Sequence, residues 1–528
     1  MSGQGDSSVF GNARGNGSGN GQSPPRRRHP GRSNERKRVL VVNAFMDEYR
    51  RTRGSPFRVP RAMGPVYLAG VFSPALCDVR IYSEQYSGVL KDTRLLAWAD
   101  MLVMTGVTTS FDRMLQLTAY ARTLNPQVVV VAGGPPVRAL PKRARRFFDY
   151  ACTGDIEELQ SVVREVFGPD HVADDIFPRY DLAPKGGIIG YVESSRACNF
   201  RCTFCSLTGE KARYQKYDLD YVRRQILAVG NKQLIFIDNN FYGNDRSFFL
   251  ARLEMIKELY EQGHVRGWSA LVTGDFFSRP ENLELMREAG CKGLFSGVES
   301  FDTETLKAYN KKHNTLVPQV ELISSCLEAG IVFTYGVMFD PSSRRLADLH
   351  QEVEFILATP EITVPAFFTL AIPLLGTPYF GECMDRGLFF PNTRLRHLDG
   401  VTLAMRPLDG IDEVLKFVRD LPSLRGYRGR VLRHARRFLR HYRGTLNPLQ
   451  LYAAALSGML ICTTSAASSP LQKPFRRTGL TYFGPTERLD AQYTPTIRMA
   501  ASYEAHFRPT MVSDASGGLA EDLAEDLA

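Results

Sequence analysis

Short apolar runs alternate with amphipathic stretches in the first part of the chain. The run VLVVNAF (Val39–Phe45) lacks polar alternation, which is typical of a strand buried on both faces of a parallel sheet. Helical spacing follows at Met63–Phe72 and at Phe111–Asn125. Further apolar runs predict strands at Cys77–Ser83, Ala99–Val107, Gln127–Gly134 and Tyr150–Asp155. Strands alternating with helices predict a doubly wound α/β domain of Rossmann type.

The carboxyl ends of these predicted strands carry small and polar residues. A doubly wound sheet binds its ligand in a crevice at that edge. Small residues allow close approach, and backbone N–H groups at helix starts can meet phosphate. The sequence therefore predicts a binding crevice there, lined by Thr108, Thr109, Ser110, Gly133, Gly134 and Gly154. A nucleotide-binding or purely structural role for the domain stays open at this point.

The alternation resumes after the proline-containing connection IFPRYDLAPKGG. Six strands are predicted, at Ile188–Glu193, Gln233–Asp238, Gly267–Leu271, Lys292–Gly297, Val332–Met338 and Ala366–Ala371. Helical patterns fill the gaps, at Leu219–Val229, Asp245–Gln262, Glu281–Ala289, Thr303–Tyr309, Pro318–Ala329 and Leu346–Leu357. Six β/α units predict an open, partial (β/α)6 barrel with its active groups at the C-terminal ends of the strands.

From about Pro407 onward the pattern is helical only. Helices are predicted at Gly410–Leu421, Tyr427–Tyr442 and Pro448–Thr463. The second, with its flanking residues, carries eight arginines from Arg425 to Arg443. An apolar stripe of Val431, Leu432, Phe438 and Leu439 favours a basic amphipathic helix packed on the barrel. The alternative is a site for a phosphorylated or carrier-bound substrate. The later segment Arg476–Pro495 is expected to help cap the barrel mouth.

These patterns divide the chain into six predicted regions. Residues 1–36 form a basic tail and 511–528 an acidic tail, both expected to be disordered because they lack apolar periodicity. Between them lie the Rossmann-like domain (37–165), a linker (166–186), the partial barrel (187–405) and a mainly helical C-terminal domain (406–510).

Composition and charge exclude several broad classes. The 528 residues are 44% hydrophobic, and the net charge of +10 is concentrated in the N-terminal tail and around residues 425–443, so a nucleic acid partner is not favoured. Six of the nine cysteines are scattered singly, which is not a disulfide framework and indicates a reducing cytoplasm. The N-terminus does not resemble a secretory signal. No segment reaches the length of a clean membrane span; the best candidate, Leu449–Cys462, is short and interrupted.

The other three cysteines form one compact motif, CxxxCxxC, at Cys198, Cys202 and Cys205. They follow the first predicted barrel strand. Thiolates at this spacing select zinc or an iron–sulfur cluster. Structural zinc usually has four ligands in two separated pairs, but there is no second CxxC and no Cys or His in the twenty residues after Cys205. Three ligands on a [4Fe–4S] cluster would leave one iron open; a three-cysteine zinc site with a remote fourth ligand is the alternative.

CxxxCxxC after the first strand of a partial barrel resembles the radical S-adenosylmethionine (SAM) superfamily. The resemblance implies that the three cysteines hold three irons and that the amine and carboxylate of SAM chelate the fourth. An electron from the cluster then splits SAM into methionine and a 5′-deoxyadenosyl radical. Phe204 matches the aromatic residue that the family usually places near the adenine.

Weaker segments extend the resemblance in the family's order. FIDNNF resembles the family's second strand end, which implies that Asp238 and Asn239 face the SAM site. SGVES resembles the strand end whose glutamate, here Glu299, hydrogen-bonds SAM; a satisfied strand-end carboxylate is the alternative. The later matching segments are KAYNKKHN, GVMFDPSS and IPLLGTP.

A Rossmann-like domain directly before such a barrel resembles the cobalamin-binding group within the superfamily. This implies that TGVTTS and VVAGGPP line a corrinoid crevice. The D-x-H-x-x-G signature of other B12 proteins is absent, and no histidine occurs between His29 and His171. Cobalamin would therefore bind without a lower axial histidine; the same absence fits a vestigial domain that binds none.

The resemblance implies a C-methyltransferase acting on an unactivated carbon of a small molecule of secondary-metabolite type, through the 5′-deoxyadenosyl radical and methylcobalamin. Its implied cofactors are a [4Fe–4S] cluster, SAM and cobalamin, and its implied partner is an electron donor such as flavodoxin or ferredoxin. The alternatives are radical chemistry without methyl transfer (cyclisation, ring rearrangement, dehydration or oxidation) and modification of RNA or peptides.

Overall fold

The computed structural model describes residues 36–45, 63–183, 187–211, 213–243, 245–400, 402–420, 424, 426–452, 454 and 493–513. Almost all of the two predicted tails lies outside these residues, as does most of the predicted helix Pro448–Thr463 and of the segment Arg476–Pro495. Among the described helices, none combines the length and apolarity needed to cross a bilayer.

The N-terminal domain is a five-stranded parallel sheet with helices on both faces. Its strands are β1 (Lys37–Asn43), β2 (Cys77–Ser83), β3 (Met101–Thr105), β4 (Val129–Ala132) and β5 (Tyr150–Ala151). Its helices are α1 (Gly64–Ala69), α2 (Glu84–Ser87), α3 (Thr93–Trp98), α4 (Phe111–Leu124), α5 (Pro135–Ala139), α6 (Pro141–Arg145) and α7 (Ile156–Val166). The order β2-β1-β3-β4-β5 is the flavodoxin-like form of the doubly wound fold, with its switch point between β1 and β3.

Burial on both faces explains the unbroken apolar run of β1. Leu40 and Val42 pack in the core beneath α4, while Val39 and Val41 point into the opposite core with α1 and α7. All four side chains have no exposed surface. The predicted Rossmann-type sheet is therefore confirmed.

The second sheet is the partial barrel. Its strands are β6 (Ile189–Val192), β9 (Gln233–Phe236), β10 (Gly267–Leu271), β11 (Cys291–Glu299), β12 (Val332–Phe339) and β13 (Phe367–Leu370). Between β6 and β9 the chain forms a separate short pair of strands, β7 (Ser195–Arg196) and β8 (Gln215–Lys216). The order β13-β12-β11-β10-β9-β6 is sequential and wholly parallel. The helices are α8 (Ser206–Gly209), α9 (Leu219–Val229), α10 (Arg246–Glu261), α11 (Glu281–Glu288), α12 (Thr303–Ala308), α13 (Gln319–Glu328) and α14 (Leu346–Ala358). The six predicted β/α units are confirmed.

After the barrel, the part of the chain that the structure describes includes the helices α15 (Pro378–Asp385), α16 (Ile411–Asp420) and α17 (Arg428–Tyr442). The arginine-rich helix α17 buries Val431, His434, Phe438 and Tyr442. Val431, Phe438 and Tyr442 join the barrel core, and the Tyr442 hydroxyl donates to the Glu361 carbonyl at 2.6 Å. The helix therefore packs on the barrel as predicted, but of the predicted apolar stripe only Val431 and Phe438 are buried, whereas Leu432 and Leu439 are exposed.

The last described segment, residues 493–513, returns to the N-terminal domain. Tyr493, Phe507 and Val512 join the core beneath α4, and the Tyr493 hydroxyl donates to Asp112 on that helix at 3.0 Å. This contact ties the C-terminal region to the first sheet.

Low pH should weaken the docking of residues 493–513 on the N-terminal domain, because the docked segment buries a neutral histidine. His506 lies edge-on to Phe147 with ring centroids 4.9 Å apart, and burial, with Arg122 nearby, lowers its pKa to about 4. An undocked His506 regains a pKa of about 6.5, so below that pH protons favour the undocked state by about 1.4 kcal/mol per pH unit until about pH 4. We expect docking to weaken by about 2 kcal/mol at pH 5. Hydrogen exchange of residues 493–513, corrected for intrinsic pH dependence, measures this loss. His506→Phe should remove the pH dependence, and equal protection of the native segment at pH 7 and 5 would contradict it.

Candidate active site between the two sheets

The cysteine loop is closed at its base by the hairpin β7–β8, which pairs Ser195 with Lys216 and Arg196 with Gln215. Ala197, just before the first cysteine, has a left-handed backbone (φ 61°) that turns the chain out of β7. Cys202 is buried, while Cys198 and Cys205 are half-buried. Burial raises the pKa of the Cys198 thiol, and that of Cys202 to about 11. The loop therefore presents three protected sulfurs beside the end of β6.

Asp238 anchors the start of this loop. The carboxylate, with no exposed surface, accepts from the Ser194 amide and hydroxyl, both at 2.7 Å, and from the Ser195 amide. Arg252 donates to the Ser194 hydroxyl at 2.8 Å and also binds the Phe241 carbonyl. Burial raises the pKa of Asp238, which Arg252 opposes, and burial lowers the pKa of Arg252 to about 10. In this structure Asp238 positions the cysteine loop, so its predicted contact with SAM would be indirect.

Asp238→Asn should destabilise the protein by about 3–5 kcal/mol, because it leaves the Arg252 charge buried without its counter-charge. The new amide would also direct N–H groups at backbone donors. Urea unfolding measures the change. The matched control is Asp245→Asn: Asp245 is the N-cap of α10, where asparagine substitutes well, so we expect a change below about 1 kcal/mol. Equal stability of the two variants would contradict the anchoring role.

Glu299 forms a buried ion pair that reaches the cysteines. It lies at the end of β11 with a left-handed backbone (φ 61°) and accepts from Lys311 at 2.8 Å. Burial opposes the charge of Lys311, but Glu299, Cys202 and Cys205 together raise its pKa. The ammonium also lies 5.6 Å from the Phe204 ring centroid. The predicted residues Glu299 and Phe204 are thus joined through Lys311.

The two asparagines after β9 differ in burial. Asn239, a predicted SAM contact, is exposed, whereas Asn240 is buried. The Asn240 side chain donates to the Asn199 side chain at 2.7 Å, one residue after Cys198. Asn240 therefore supports the cysteine loop, and the contact of Asn239 with SAM stays a prediction.

The three thiols form a donor set that can hold an iron–sulfur cluster. The three thiols are close enough to affect one another's pKa. Yet among the described residues no three Cys, His, Asp or Glu side chains converge as a single-ion site requires. A [4Fe–4S] cluster takes each sulfur on a different iron and needs no such convergence.

A cavity of about 710 Å³ adjoins the cysteine loop, and its lining includes Thr203, Tyr309, Asp340 and Tyr379. The Thr203 amide donates to the Tyr309 carbonyl at 3.0 Å, and the Thr203 carbonyl accepts from the Tyr379 amide at 3.1 Å. Both tyrosine hydroxyls bind the buried Asp340 carboxylate, at 3.3 Å and 2.7 Å. The Tyr309 ring meets Phe204 edge-on at 5.3 Å. This cluster therefore supports the cysteine loop at Thr203 and Phe204.

A second cavity, of about 250 Å³, lies between the two sheets. The N-terminal domain contributes strand-end and loop residues, among them Thr105, Gly133, Gly134 and Gly154, and the barrel contributes Glu193, Arg196 and Ile237. Gly134 has a left-handed backbone (φ 92°), and a β-carbon there would lie 3.0 Å from the Thr105 hydroxyl. The glycines thus keep the strand ends open. Three of the six residues predicted for the crevice line this cavity.

The other three do not line it. Thr108, Thr109 and Ser110 form a buried 3-10 turn that leads into α4, and the Ser110 hydroxyl donates to the Phe45 carbonyl. The turn packs beside residues 395–397. Thr105, three residues earlier, takes their place because β3 ends there and the chain turns away. A corrinoid contact of Thr108–Ser110 has no support from this cavity.

An ionic network joins the two domains around the cavity. Arg138 on α5 pairs with Glu210, beyond the cysteine motif, at 2.6 Å and with Asp155 at 3.2 Å. Asp155 also pairs with Arg196 of β7 at 3.2 Å, and Arg196 lies 3.4 Å from Glu193. Burial opposes the charge of Arg196, but Glu193, Tyr217 and Asp155 raise its pKa. The network holds the glycine-lined edge against the base of the cysteine loop.

These lining residues fit a flat macrocycle in close contact with backbone. The cavity is mainly apolar toward the N-terminal sheet, its strand ends carry glycine, and none of its described lining residues is a histidine. These lining residues would offer a corrinoid no imidazole. That agrees with the histidine-free stretch from His29 to His171.

Sequence reasoning missed several site residues. Lys311 lies in KAYNKKHN, a segment that resembles the family but in which the resemblance assigns no residue a role. Arg138 and Arg196 carry no motif and are recognisable only from the ion pairs that cross between domains. For Tyr309 the only sequence signal is its place in the same matched segment.

Comparisons with known proteins agree with this geometry. The family model "Radical SAM superfamily" matches residues 192–344, which include the cysteine motif and Glu299. The chain is 27% identical over 293 residues to the hopanoid C-2 methylase of Rhodopseudomonas palustris, covering 51% of this chain and 54% of that protein. It is 30% identical over 217 residues to the bacteriochlorophyllide d C-12(1)-methyltransferase of Chlorobaculum tepidum, covering 39% and 43%. The matches span about half of these relatives' lengths.

Solved structures show the same arrangement of domains. The cobalamin-dependent S-adenosylmethionine radical enzyme OxsB, with aqua-cobalamin and S-adenosylmethionine bound, matches 93% of this chain and 81% of its own at a TM-score of 0.54 and 14% identity. The radical S-adenosylmethionine methyltransferase TsrM from Kitasatospora setae matches 68% of this chain and 80% of its own, at a TM-score of 0.50 and 17% identity. At this identity the likeness establishes the fold. Residues 192–344 match the radical SAM superfamily, and the chain has the fold of these two cobalamin-binding radical SAM proteins.

Proposed function

We propose that the chain is a cobalamin-dependent radical SAM methyltransferase that methylates an unactivated carbon of a small molecule. The observation that carries this proposal is the glycine-lined cavity, which opens between the strand ends of the N-terminal sheet and the base of the cysteine loop. A methyl carrier and a radical source need to act on one substrate, and this junction brings the two candidate sites together.

The names of the relatives support carbon methylation. One is called a hopanoid C-2 methylase and another a bacteriochlorophyllide d C-12(1)-methyltransferase, and both names specify a carbon of a small organic molecule. The solved structures add cobalamin and a [4Fe–4S] cluster bound to TsrM, and cobalamin and SAM bound to OxsB. We propose the same three cofactors for this chain.

Each part of the site has a task in this proposal. Cys198, Cys202 and Cys205 would hold the cluster, and Glu299 with Phe204 would orient SAM beside it. Arg138 and Arg196 would keep the corrinoid cavity against the cysteine loop. When bound, the cluster supplies the electron that cleaves SAM and the corrinoid carries the methyl group. A one-electron donor such as flavodoxin or ferredoxin would supply the reductant.

Anaerobic reconstitution with iron, sulfide and hydroxocobalamin tests the proposal without knowledge of the substrate. We expect a corrinoid absorption spectrum on the purified protein. With a low-potential reductant, methyl-labelled SAM should yield 5′-deoxyadenosine, and label should appear on the bound corrinoid together with S-adenosylhomocysteine. 5′-Deoxyadenosine without label transfer would favour radical chemistry that moves no methyl group. Absence of bound corrinoid would favour a vestigial N-terminal domain.

A further inference from the structure

The outward face of α17 combines positive charge with exposed apolar side chains. Leu432 is 51% and Leu439 38% exposed, although each is a large apolar residue. Spacing of three and four residues places Arg436, Arg440 and Arg443 on the same side of the helix as these leucines. A helix that needed only to pack on the barrel would expose polar residues there. The outer face therefore has a composition that its packing does not explain.

The charge on this face is not neutralised locally. Arg430 pairs with Glu354, and Arg437 donates to the Ala358 carbonyl at 3.2 Å, so these two belong to the packing on α14. No ion pair within the described residues involves the remaining arginines of the helix, Arg428, Arg433, Arg436 and Arg440. From residue 421 to residue 486 the sequence contains no Asp or Glu at all. A partner with negative charge would complement this face.

The buried face of α17 is firmly packed, which keeps the exposed leucines and arginines on the outer face. Val431, His434, Phe438 and Tyr442 are each less than 5% exposed. The His350 imidazole on α14 also bonds the Tyr427 hydroxyl just before α17. The helix cannot turn its leucines inward without breaking this core.

We propose that the outer face of α17 docks the enzyme on an anionic phospholipid surface. Exposed leucines flanked by arginines are the pattern of helices that lie in the membrane interface, with apolar side chains among the acyl chains and guanidinium groups at the headgroups. RNA would also attract the arginines, but its phosphates offer nothing to Leu432 and Leu439. The apolar residues therefore favour a lipid surface over a nucleic acid. This inference is independent of the reaction proposed above.

Vesicle flotation of the full chain tests the proposal. We expect binding to phosphatidylcholine vesicles containing phosphatidylglycerol, weaker binding to phosphatidylcholine alone, and release as salt screens the arginines. R433Q/R436Q/R440Q should weaken binding about a hundredfold, since each arginine near an anionic surface contributes about a factor of five. L432S/L439S should weaken it too while leaving the charge unchanged. Circular dichroism of each variant checks that the fold is retained.

The matched control changes the same charge elsewhere. R223Q/R224Q/R287Q removes three arginines from α9 and α11, two exposed and one half-buried, each of which already pairs with a carboxylate, so vesicle binding should stay within about twofold. Three results would overturn the proposal: no preference for anionic vesicles, equal losses in control and test variants, or tighter binding to poly(U) RNA that ignores L432S/L439S.

Discussion

Replacing Cys202 with serine should reduce bound iron from about four atoms per chain to less than one, and should abolish 5′-deoxyadenosine formation. Cys202 is the most buried of the three motif cysteines, and Lys311 lies near it as a buried cation. A serine hydroxyl is a poor ligand for iron in such a cluster, and two remaining thiolates cannot hold three of its corners. Iron and sulfide analysis with visible absorption measures the loss directly.

The control is a cysteine outside the motif. Cys77→Ala removes a buried thiol at the start of β2, far along the chain from the loop, and iron content should match the native protein. Both variants should unfold at similar urea concentrations, because Cys202 lies on a loop that Asp238, Tyr309 and the β7–β8 hairpin hold independently. Retention of a full cluster by Cys202→Ser would contradict the assignment of the site.

Binding of the cluster should also depend on pH. Burial raises the pKa of the Cys202 thiol to about 11 in the cluster-free chain, so the thiolate needed for iron binding is rare at neutral pH. Binding of iron by Cys202 must then release the proton of its thiol. The rate of anaerobic reconstitution should therefore rise as pH increases from 7 to 9, as iron uptake would show.

The spacing of apolar residues predicts the positions of most strands and helices well, because burial in the core determines that spacing. The predicted strands Cys77–Ser83 and Gly267–Leu271 and the helix Leu219–Val229 have the same bounds in the structure. Each is a single strand or helix whose burial pattern is local. Short elements such as β7 and β8 are not predicted, because two residues are too few to show a hydrophobic period. Their pairing depends on the loop that they close.

The site was predictable only where a motif marks it. The cysteines and Phe204 lie in one short segment, so their proximity follows from the sequence. Arg138 and Glu210 are 72 residues apart and meet only because the two sheets face each other. Likewise, nothing in residues 493–513 indicates that they return to α4. Contacts between domains depend on their relative orientation, which local patterns do not encode.

Some predicted residues changed role for a physical reason. Asp238 follows β9 as expected, but its carboxylate points to the backbone of Ser194 and Ser195, which satisfies its buried oxygens. The strand after Ala99 ends at Thr105, earlier than the apolar run suggests, so Thr108–Ser110 turn into α4 instead of facing the crevice.

Gly133→Leu should weaken corrinoid binding while leaving the cluster intact. A β-carbon at residue 133 would meet the Cys152 carbonyl oxygen at 3.5 Å and the Cys152 β-carbon at 3.6 Å, which are ordinary contacts. Alanine is therefore tolerated there, whereas the branched end of leucine must enter the cavity of about 250 Å³. Overfilling a packed contact costs about 1–3 kcal/mol, so the Kd for hydroxocobalamin should rise about tenfold to a hundredfold.

Gly133→Ala is the matched control, because it adds a β-carbon at the same position without filling the cavity, and it should bind hydroxocobalamin within about twofold of the native protein. Gly134 would be a poorer choice: its left-handed backbone (φ 92°) would strain any side chain and confuse blocking with misfolding. Iron content should be equal in all three proteins, since residue 133 and the cysteine loop lie on different domains. Native affinity in Gly133→Leu would move the corrinoid away from this cavity, whereas equal losses in both variants would show that backbone freedom, rather than open space, is what the site requires of glycine.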